Sequence, residues 1–536
     1  MPLASNAQYD DAWFFLRAKE VAFQPEFTKV GDKLVYKGAD TRLKNILAKY
    51  DIFQFKKTYR KAKKENLKKT FFVRAKQKEL MNDLLKNASH IFTFGEHIAG
   101  EDKKIFEPND YGLTSTIGEN LGAQVNLDYL DFLNVPKAWY YTTGNPDIIV
   151  GISDAYLDTT NIEFKGRTSM VRRSGLAQGH GYTVGETAVG NGDNAYAIPG
   201  ICYNCDVLTT QYGKFRTLET LMELSRMGTK VINCSWVGTR YYETAQQAVD
   251  EMFENGTIIV AAAGNSSFNQ KKGKVRHYPA SYDKVIAVSA AMHRYEDYRE
   301  NIKIELKNGR KLYYAENIAG YIGRTAGFPD NDTLQDPFIH RASTRTFNDK
   351  IDILTPSVDI FRYSKLVLND SIVMDPYSHT SGVTPMVTGT VGLMFSLYPC
   401  LPADEVESIL KMTSWNIDHI PANKPFKGLY GSGMLKTGDA VEMVYKLYNE
   451  NEVATIQNQD FKRWDFKVRA LSKELRIQNQ IFRDSTSLEA TAKQRIVIGK
   501  NTRLKPNRAG KIHLKIDPTL QKDCDFVLRD PSILNN

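Results

Sequence analysis

The feature that most limits the fold of this chain is a series of short apolar runs that alternate with helical stretches between residues 147 and 291. "DIIVGISD", "KVINCSW" and "TIIVAAAGN" have the length and the β-branched content of buried strands. The stretches between them, such as "TLETLMELSRMG" and "ETAQQAVDEMFENG", carry apolar residues at helical spacing. This alternation predicts an α/β fold with a doubly wound, mostly parallel sheet. In such a fold the functional groups lie at the carboxyl ends of the strands.

Four polar residues stand at such ends or beside glycines. Asp154 ends the first run, Asn265 ends "TIIVAAAGN", and His180 lies between two glycines in "GHGYTVGETA". Ser381 lies in "SHTSGVTPMVTG", ahead of a long apolar run. Each residue alone fits a structural role, as a cap, a turn or a satisfied polar group. Together they give the chain order Asp, His, Asn, Ser, in which Asp, His and Ser follow the order of one known hydrolytic triad.

The apolar run after Ser381 predicts a helix that begins near Ser381 or Gly382. Pro385 suits such a start, because a proline in the first turn of a helix loses no hydrogen bond. A helix that starts at Ser381 would direct partial positive charge at this residue.

These motifs resemble those of the subtilisin-like serine peptidases, the subtilases. "DAYLDTTNIEFKGR", "GHGYTVGETAVGNG" and "SHTSGVTPMVTG" resemble the Asp, His and Ser motifs of the family, and "VINCSWVG" and "VAAAGN" resemble its cleft and oxyanion segments. The resemblance covers about residues 108–449. It implies a serine endopeptidase in which Ser381 is the nucleophile, His180 the base and Asp154 its partner. Asn265 would stabilise the oxyanion.

The same resemblance implies a substrate pocket for the side chain before the cut bond. Trp236 and Val237 stand where subtilases commonly have Leu-Gly, so we expect an altered specificity. The residues matched to the pocket walls are Ser235, Trp236, Val237, Gly238, Ala262, Ala263 and Gly264.

The first hundred residues form a distinct segment. They carry 20 Lys and Arg against 11 Asp and Glu, a net charge of +9 that equals the net charge of the whole chain. Their pattern predicts the order strand, helix, strand, strand, helix, strand, which is the order of elements in a ferredoxin-like α+β fold. Such units often bind RNA, which is one alternative. The resemblance instead implies that residues 1–105 are an inhibitory propeptide, cut between about Phe94 and Phe106, so that the chain is an autoprocessed zymogen.

In residues 450–536 strands and helices no longer alternate. Polar and apolar residues alternate there instead, between turns that contain Asn, Gly and Pro. This pattern predicts a small β-rich domain, which we expect to be antiparallel. The expected domains are therefore residues 1–105, 106–449 and 450–536.

The composition constrains partners and location. No apolar run approaches the roughly 20 residues of a membrane span, so we expect no membrane insertion. The start "MPLASNAQYDD" shows no signal peptide, and a secreted or cell-envelope location is implied only by the resemblance. Five cysteines make no disulfide framework. "CYNC" at 202–205 has the spacing of a redox site or half a zinc site, but no second pair completes a zinc site, which favours a local disulfide or two free thiols.

The expected partners are a polypeptide substrate and the chain's own propeptide, with no nucleic acid. No cofactor is expected to be required, and structural calcium, which many subtilases bind, is left without assigned ligands. A pseudoprotease that binds peptides without cutting them is the remaining alternative.

Overall fold

The computed structural model describes residues 11–59, 62, 64–117, 120–176, 179–268, 275–364, 371–375 and 379–535. The chain divides into two compact units, residues 1–126 with 530–536, and residues 127–529. The division into three domains, with boundaries after residues 105 and 449, stays a prediction.

The first unit is built on a four-stranded antiparallel sheet in the order β4-β5-β1-β6. A hairpin of β2 and β3, which the sequence pattern did not predict, precedes the first helix. Trp13, Phe15 and Phe72 lie on one side of the sheet. They pack against three isoleucines of the segment that follows the sheet, Ile98, Ile105 and Ile117. The elements are β1 Ala12–Ala18, β2 Phe27–Val30, β3 Lys33–Tyr36, α1 Thr41–Leu47, β4 Ile52–Lys57, α2 Glu65–Lys68, β5 Thr70–Ala75, α3 Glu79–Asn87 and β6 Phe92–His97.

The second unit contains the predicted α/β core. Its strands and helices up to residue 448 are α4 Asp128–Phe132, α5 Val135–Tyr141, β7 Ile149–Ser153, β8 Thr168–Met170, α6 His180–Val189, β9 Asp206–Thr210, α7 Glu219–Arg226, β10 Val231–Cys234, α8 Glu243–Glu254, β11 Ile258–Ala262, β12 Val285–Ala291, β13 Ile302–Lys307, β14 Arg310–Ala315, β15 Thr325–Gly327, β16 Phe338–Ile339, β17 Ile353–Pro356, β18 Ile360–Ser364, β19 Ser371–Asp375, α9 Thr380–Leu397, α10 Ala403–Thr413 and α11 Thr437–Tyr448.

Seven of these strands form a parallel sheet in the order β17-β12-β11-β10-β7-β9-β8. The chain passes from β7 to β9 on one side and later to β10 on the other, so the strand order reverses beside β7. The crevice at the carboxyl ends of strands that flank such a reversal is the usual place for a site in this fold. The prediction of a mostly parallel α/β sheet is confirmed.

The carboxyl-terminal region is β-rich, but the expected antiparallel arrangement is wrong. Its strands form three parallel sheets in the orders β20-β23-β26, β21-β24-β27 and β22-β25-β28. The chain therefore winds through three coils of a β-helix that packs on α10 and α11. The strands are β20 Val453–Gln457, β21 Asp460–Phe461, β22 Asp465–Ala470, β23 Glu474–Gln478, β24 Ile481–Asp484, β25 Ser487–Ala492, β26 Ile496–Ile498, β27 Arg503–Pro506 and β28 Ile512–Ile516.

The coils are aligned by an asparagine at one corner. Asn458, Asn479 and Asn501 all adopt positive φ, of 66°, 47° and 56°, a conformation that asparagine tolerates better than most residues. The N–H of Asn458 donates to the carbonyl of Asn479, and Nδ2 of Asn501 donates to Oδ1 of Asn479 at 3.0 Å. The stacked asparagines place successive coils in register.

Two disulfides lie in the second unit. Cys202 and Cys205 form one, and Cys400 and Cys524 form the other. Cys234 is a buried free thiol. In the described ranges, no helix has the length and apolar character needed to span a membrane.

Candidate active site

Three neighbouring strands deliver predicted site residues to one edge of the parallel sheet. Asp154 directly follows β7, and Ser235–Gly238 directly follow β10. Asn265 stands three residues beyond the end of β11. Because these strands are parallel and adjacent in the order β11-β10-β7, their carboxyl ends lie side by side.

The side chains of Asp154 and His180 are joined by a hydrogen bond. Asp154 is fully buried, and its Oδ1 accepts from the N–H of Ala155 at 2.6 Å and lies 2.6 Å from Nδ1 of His180. Burial raises the pKa of Asp154 above its ordinary value, and the hydrogen bond with His180 opposes that rise. Nδ1 is the donor when the carboxylate is ionised, which leaves Nε2 of the neutral imidazole as an acceptor. The imidazole side chain is 41% exposed, so Nε2 can reach a second group.

A close backbone contact sets the position of His180. His180 begins α6, and Gly179 before it has a φ of +122°. A Cβ atom on Gly181 would lie 2.2 Å from the carbonyl oxygen of Ala155, well inside contact distance. The glycines of "GHG" are therefore needed for the start of α6 to lie against the Asp154 loop.

Ser381 is the accessible member of an otherwise buried helix. The helix α9 begins at Thr380, one residue before the predicted range, and all of its eighteen residues except the half-buried Ser381 are buried. The helix packs against α6, where a Cβ on Gly389 would lie 2.8 Å from the carbonyl oxygen of Ala188. This close packing holds the amino-terminal end of α9 at the same edge of the sheet as α6.

The expected position of Pro385 in the first turn is wrong. Pro385 is the sixth residue of α9 and lies inside the helix. Its missing N–H would have donated to the carbonyl of Ser381, four residues earlier. That carbonyl instead accepts a hydrogen bond of 2.8 Å from Oγ of Ser235.

The hydroxyl of Ser235 belongs to a buried series of hydrogen-bonded polar side chains. Nδ2 of Asn233 donates to Oγ of Ser235 at 2.9 Å, and Oγ1 of Thr388 donates to Oδ1 of Asn233 at 3.0 Å. This chain of hydrogen bonds joins β10 and the residue after it to α9. It fixes the backbone of Ser381 from outside the helix.

Asn265 is held through its carbonyl oxygen. Its Oδ1 accepts from the N–H of Thr380 at 2.9 Å and from the hydroxyl of Thr380 at 3.1 Å. The same hydroxyl accepts from the N–H of Gly264 at 3.2 Å. Among the described residues Nδ2 of Asn265 has no hydrogen-bond partner, so this amide donor is available near Ser381.

Thr380 and Asn233 are not among the site residues predicted from the sequence. The position of Thr380 directly before Ser381 was an available signal. Asn233 lies inside a buried strand, where a polar side chain needs a partner, and this was a second signal.

The structure arranges the four predicted residues as two hydrogen-bonded groups. Asp154 and His180 form one, and Asn265 is connected to Ser381 through Thr380 in the other. In the described part of the chain, no hydrogen bond joins Nε2 of His180 to Oγ of Ser381. In enzymes without bound substrate, the hydrogen bond between a catalytic base and its nucleophile is often long.

The residues predicted to bind substrate have different surroundings. Trp236 is 6% exposed, and its indole N–H donates to both the carbonyl and the hydroxyl of Ser153, at 3.1 Å each. Gly238 forms an antiparallel bridge with Tyr278, whereas Val237 is 38% exposed. The remaining members Ala262, Ala263 and Gly264 are buried.

A cavity of about 350 Å³ adjoins this segment. Its walls are mainly aromatic and apolar, and Arg240 is the charged residue among those described in its lining. The lining residues are Phe215, Leu218, Trp236, Val237, Gly238, Thr239, Arg240, Tyr242, Tyr278, Pro279 and Tyr282.

Among the residues that the structure describes, no cluster of His, Cys, Asp or Glu corresponds to the structural calcium that the resemblance implies. In "FPDNDTLQD", Asp332 accepts hydrogen bonds from its own turn, at Leu334 and Gln335. We therefore assign no residue to calcium.

Two features of this edge are typical of a hydrolase with a serine nucleophile, namely a histidine oriented by a buried carboxylate and an accessible hydroxyl at the start of a helix. A family model described as the subtilase family matches residues 145–450, which is more than half of the chain. The chain therefore belongs to the subtilase family, and it is a subtilisin-like serine protease that acts on peptide bonds.

Individual relatives are distant. Subtilisin DY of Bacillus licheniformis is 25% identical over 308 residues, which cover 55% of this chain and 91% of that protein. Fervidolysin of Fervidobacterium pennivorans is 23% identical over 334 residues, which cover 57% of this chain and only 43% of that protein. Among solved structures, the prenylagaramide maturation protease PagA aligns with 58% of this chain and 98% of its own, at 21% identity and a TM-score of 0.42.

Proposed function

We propose that the chain is a serine endopeptidase that uses Asp154, His180 and Ser381 as its catalytic triad. The observation that carries this proposal is the 2.6 Å hydrogen bond between Nδ1 of His180 and the buried carboxylate of Asp154. A carboxylate in this position selects the tautomer with a free Nε2 and stabilises the imidazolium that forms when Nε2 takes a proton.

In the acylation step, Oγ of Ser381 attacks the carbonyl carbon of the scissile peptide bond while its proton passes to Nε2 of His180. The tetrahedral intermediate collapses when the imidazolium returns this proton to the leaving amine. The first product leaves and an ester remains on Ser381. In deacylation, His180 takes a proton from water, the hydroxide oxygen attacks the ester, and the proton returns to Oγ as the acid product leaves.

The developing negative charge on the carbonyl oxygen needs donors that are already in place. Nδ2 of Asn265 is such a donor, because Thr380 occupies Oδ1 of the same amide. The N–H of Ser381 is a second donor, because the first N–H groups of a helix have no intrahelical partner. Loss of an oxyanion donor of this kind typically costs about 3 to 4 kcal/mol of transition-state stabilisation.

Substrate would lie along the residues after β10 and at the end of β11, namely Ser235–Gly238 and Ala262–Gly264. Since the bridge with Tyr278 occupies the backbone of Gly238, Val237 presents the accessible part of this edge. The aromatic lining of the 350 Å³ cavity supports a preference for apolar or aromatic side chains in the substrate.

Residues 1–105 are proposed to be a ferredoxin-like propeptide. The strand order β4-β5-β1-β6, with all neighbours antiparallel, supports this assignment. An RNA-binding unit of this type stacks bases on aromatic residues of its sheet. Here Trp13, Phe15 and Phe72 pack against isoleucines of the same unit, which favours the propeptide over the RNA-binding alternative.

A secreted or cell-envelope location is proposed as well. The two disulfides support a place outside the reducing cytoplasm. Two relatives from Bacillus subtilis have names that refer to the cell wall or to the outside of the cell. One is a cell wall-associated protease, which is 24% identical over 313 residues, and the other is the minor extracellular protease Epr, which is 27% identical over 175 residues.

The test is expression of the wild-type chain beside Ser381→Ala and Asp154→Asn variants. The wild type is expected to cut itself between residues 94 and 106, read by amino-terminal sequencing, and to react with a fluorophosphonate probe. Ser381→Ala should remain full-length and unlabelled, and Asp154→Asn should turn over a peptide substrate about 10⁴-fold more slowly.

Two outcomes would contradict the proposal. A folded Ser381→Ala variant that is still processed and labelled would refute the assignment of the nucleophile. A folded wild-type chain that binds peptides but neither cuts them nor reacts with the probe would favour the pseudoprotease.

A further inference from the structure

The β-helix carries a charge that the protease chemistry does not use. Residues 453–517 contain 15 Lys and Arg against 6 Asp and Glu, a net charge of +9. The excess is greatest in the last coil, because residues 490–516 contain eight Lys and Arg and no Asp or Glu. A concentration of one sign of charge on one element marks a surface for a partner of the opposite sign.

Several cations of the last coil have no carboxylate partner in the described part of the chain. They are Lys500, Arg503, Lys505, Arg508 and Lys511, and all are exposed. Lysine on the edge of a sheet often serves only to prevent pairing with another strand. That role suits residues within β27, but Lys500, Arg508 and Lys511 lie in the turns on either side of it.

The face formed by β21, β24 and β27 holds a shallow depression of about 530 Å³. Arg503 and Lys505 line it from β27, and Arg483 lines it from β24 in register with Lys505. Arg483 is fixed by two hydrogen bonds of 2.8 Å to the carboxylate of Asp460, and Asp484 at the end of β24 is also in the lining. The depression therefore presents two unpaired cations next to carboxylates that can accept hydrogen bonds.

We propose that this depression binds a linear anionic polysaccharide. A carboxylate or sulfate group of one sugar unit is held by Arg503 and Lys505, and hydroxyl groups of the same unit donate to Asp460 and Asp484. The chain of sugars continues along the coil past the exposed lysine and arginine in the flanking turns. The volume of the depression suits one or two sugar rings.

The surroundings favour a sugar polymer over other polyanions. Residues 490–516 contain no Phe, Tyr or Trp on which the bases of a single strand could stack. The backbone of DNA and a polyphosphate chain have no hydroxyl to donate to Asp460 and Asp484, so these carboxylates would repel them. The binding does not depend on the proposed catalytic residues, and its failure would leave the protease assignment intact.

The test uses the full chain with Ser381→Ala, which prevents self-digestion, and labelled alginate oligosaccharide as the probe. Affinity is measured by fluorescence anisotropy at physiological ionic strength. Saturable binding is expected, and the Arg503→Gln/Lys505→Gln double variant should bind about tenfold more weakly, the loss expected for two exposed charge pairs. Absence of saturable binding by the parent would overturn the proposal.

The matched control is the double variant Lys493→Gln/Arg495→Gln. These residues lie in the same coil but already pair with Glu450 and Glu474. The control should bind within about twofold of the parent. Equal weakening by the two double variants, both shown to be folded by thermal melting, would overturn the proposed location.

Competition identifies the class of ligand. Polyphosphate of the same charge, a DNA duplex and vesicles of anionic lipid should each displace the probe at least about tenfold less effectively than unlabelled alginate. Equal competition by any of the three would overturn the proposal of a polysaccharide ligand.

Discussion

Replacement of Gly181 with alanine is the most direct test of how the fold positions the histidine. The added Cβ would lie 2.2 Å from the oxygen and 2.9 Å from the carbon of the Ala155 carbonyl. Both are backbone atoms next to Asp154, so neither can turn aside as a side chain can. To restore contact distance the start of α6 must move by about 1 Å, and His180 immediately before Gly181 must move with it. The hydrogen bond of 2.6 Å between His180 and Asp154 would then be stretched or broken.

If His180 is the catalytic base, as we propose, the expected result is a fall in kcat/KM of about 10²-fold, a cost that a misplacement of about 1 Å can have. The assay is turnover of a chromogenic peptide, with the thermal midpoint measured in a Ser381→Ala background. Alanine favours a helix over glycine by about 1 kcal/mol, so loss of activity through loss of helix is not expected.

The control is Gly185→Ala in the same helix, whose Cβ would meet the end of the Leu157 side chain at 2.5 Å and the Phe164 ring at 3.1 Å. These side chains can shift, so the control should retain most of its activity. The reasoning fails if Gly181→Ala has wild-type kcat/KM, or if the control loses as much.

Three further substitutions test the buried polar groups. Ser235→Ala removes the donor to the Ser381 carbonyl and should lower the free energy of unfolding by about 1 to 3 kcal/mol. Pro385→Ala restores a helical N–H to that carbonyl, so the cost of Ser235→Ala should shrink in the Pro385→Ala background, and additive thermal denaturation data would contradict this. Burial also raises the pKa of Glu405 to about 7, against the favourable contact with Arg469. Because the folded state then holds a proton that the unfolded state releases above about pH 4.5, stability should fall by up to about 3 kcal/mol as the pH rises from 4.5 to above 7. Glu405→Gln, in the Ser381→Ala background, should remove this slope, and parallel pH profiles of parent and variant in urea denaturation would show that Glu405 is not its source.

The parallel sheet could be predicted because it depends on local signals, and the same signals led us to expect the site at one edge of the sheet. Apolar runs of strand length indicated the sheet, and polar residues at their ends pointed to one edge of it. The hydrogen bonds that hold these residues in place could not be predicted from the sequence. The bond from Ser235 to the Ser381 carbonyl spans 146 residues, and no pattern in the sequence marks it. Pro385 was the available signal, because a proline inside a helix leaves one carbonyl without its usual donor.

The β-helix was missed for a physical reason. Alternation of polar and apolar residues shows that one face of a strand is buried, but it does not show the direction of the neighbouring strand. The repeat length was the better signal. "IQNQ" occurs at 456–459 and again at 477–480, and Val453 pairs with Glu474 at the same spacing. A recurrence of this length is typical of a solenoid, in which each coil pairs with the next.

The disulfide between Cys400 and Cys524 joins the segment after the β-helix to the residues just beyond α9, across 124 residues of sequence. The whole solenoid, together with α10 and α11, is thus enclosed in one covalent loop. A single backbone cut anywhere inside this loop would leave both pieces attached to each other. A protease exposed to its own activity would therefore keep its full mass after such a nick until the cystine is reduced, and the helix that carries Ser381 would stay linked to everything that follows it.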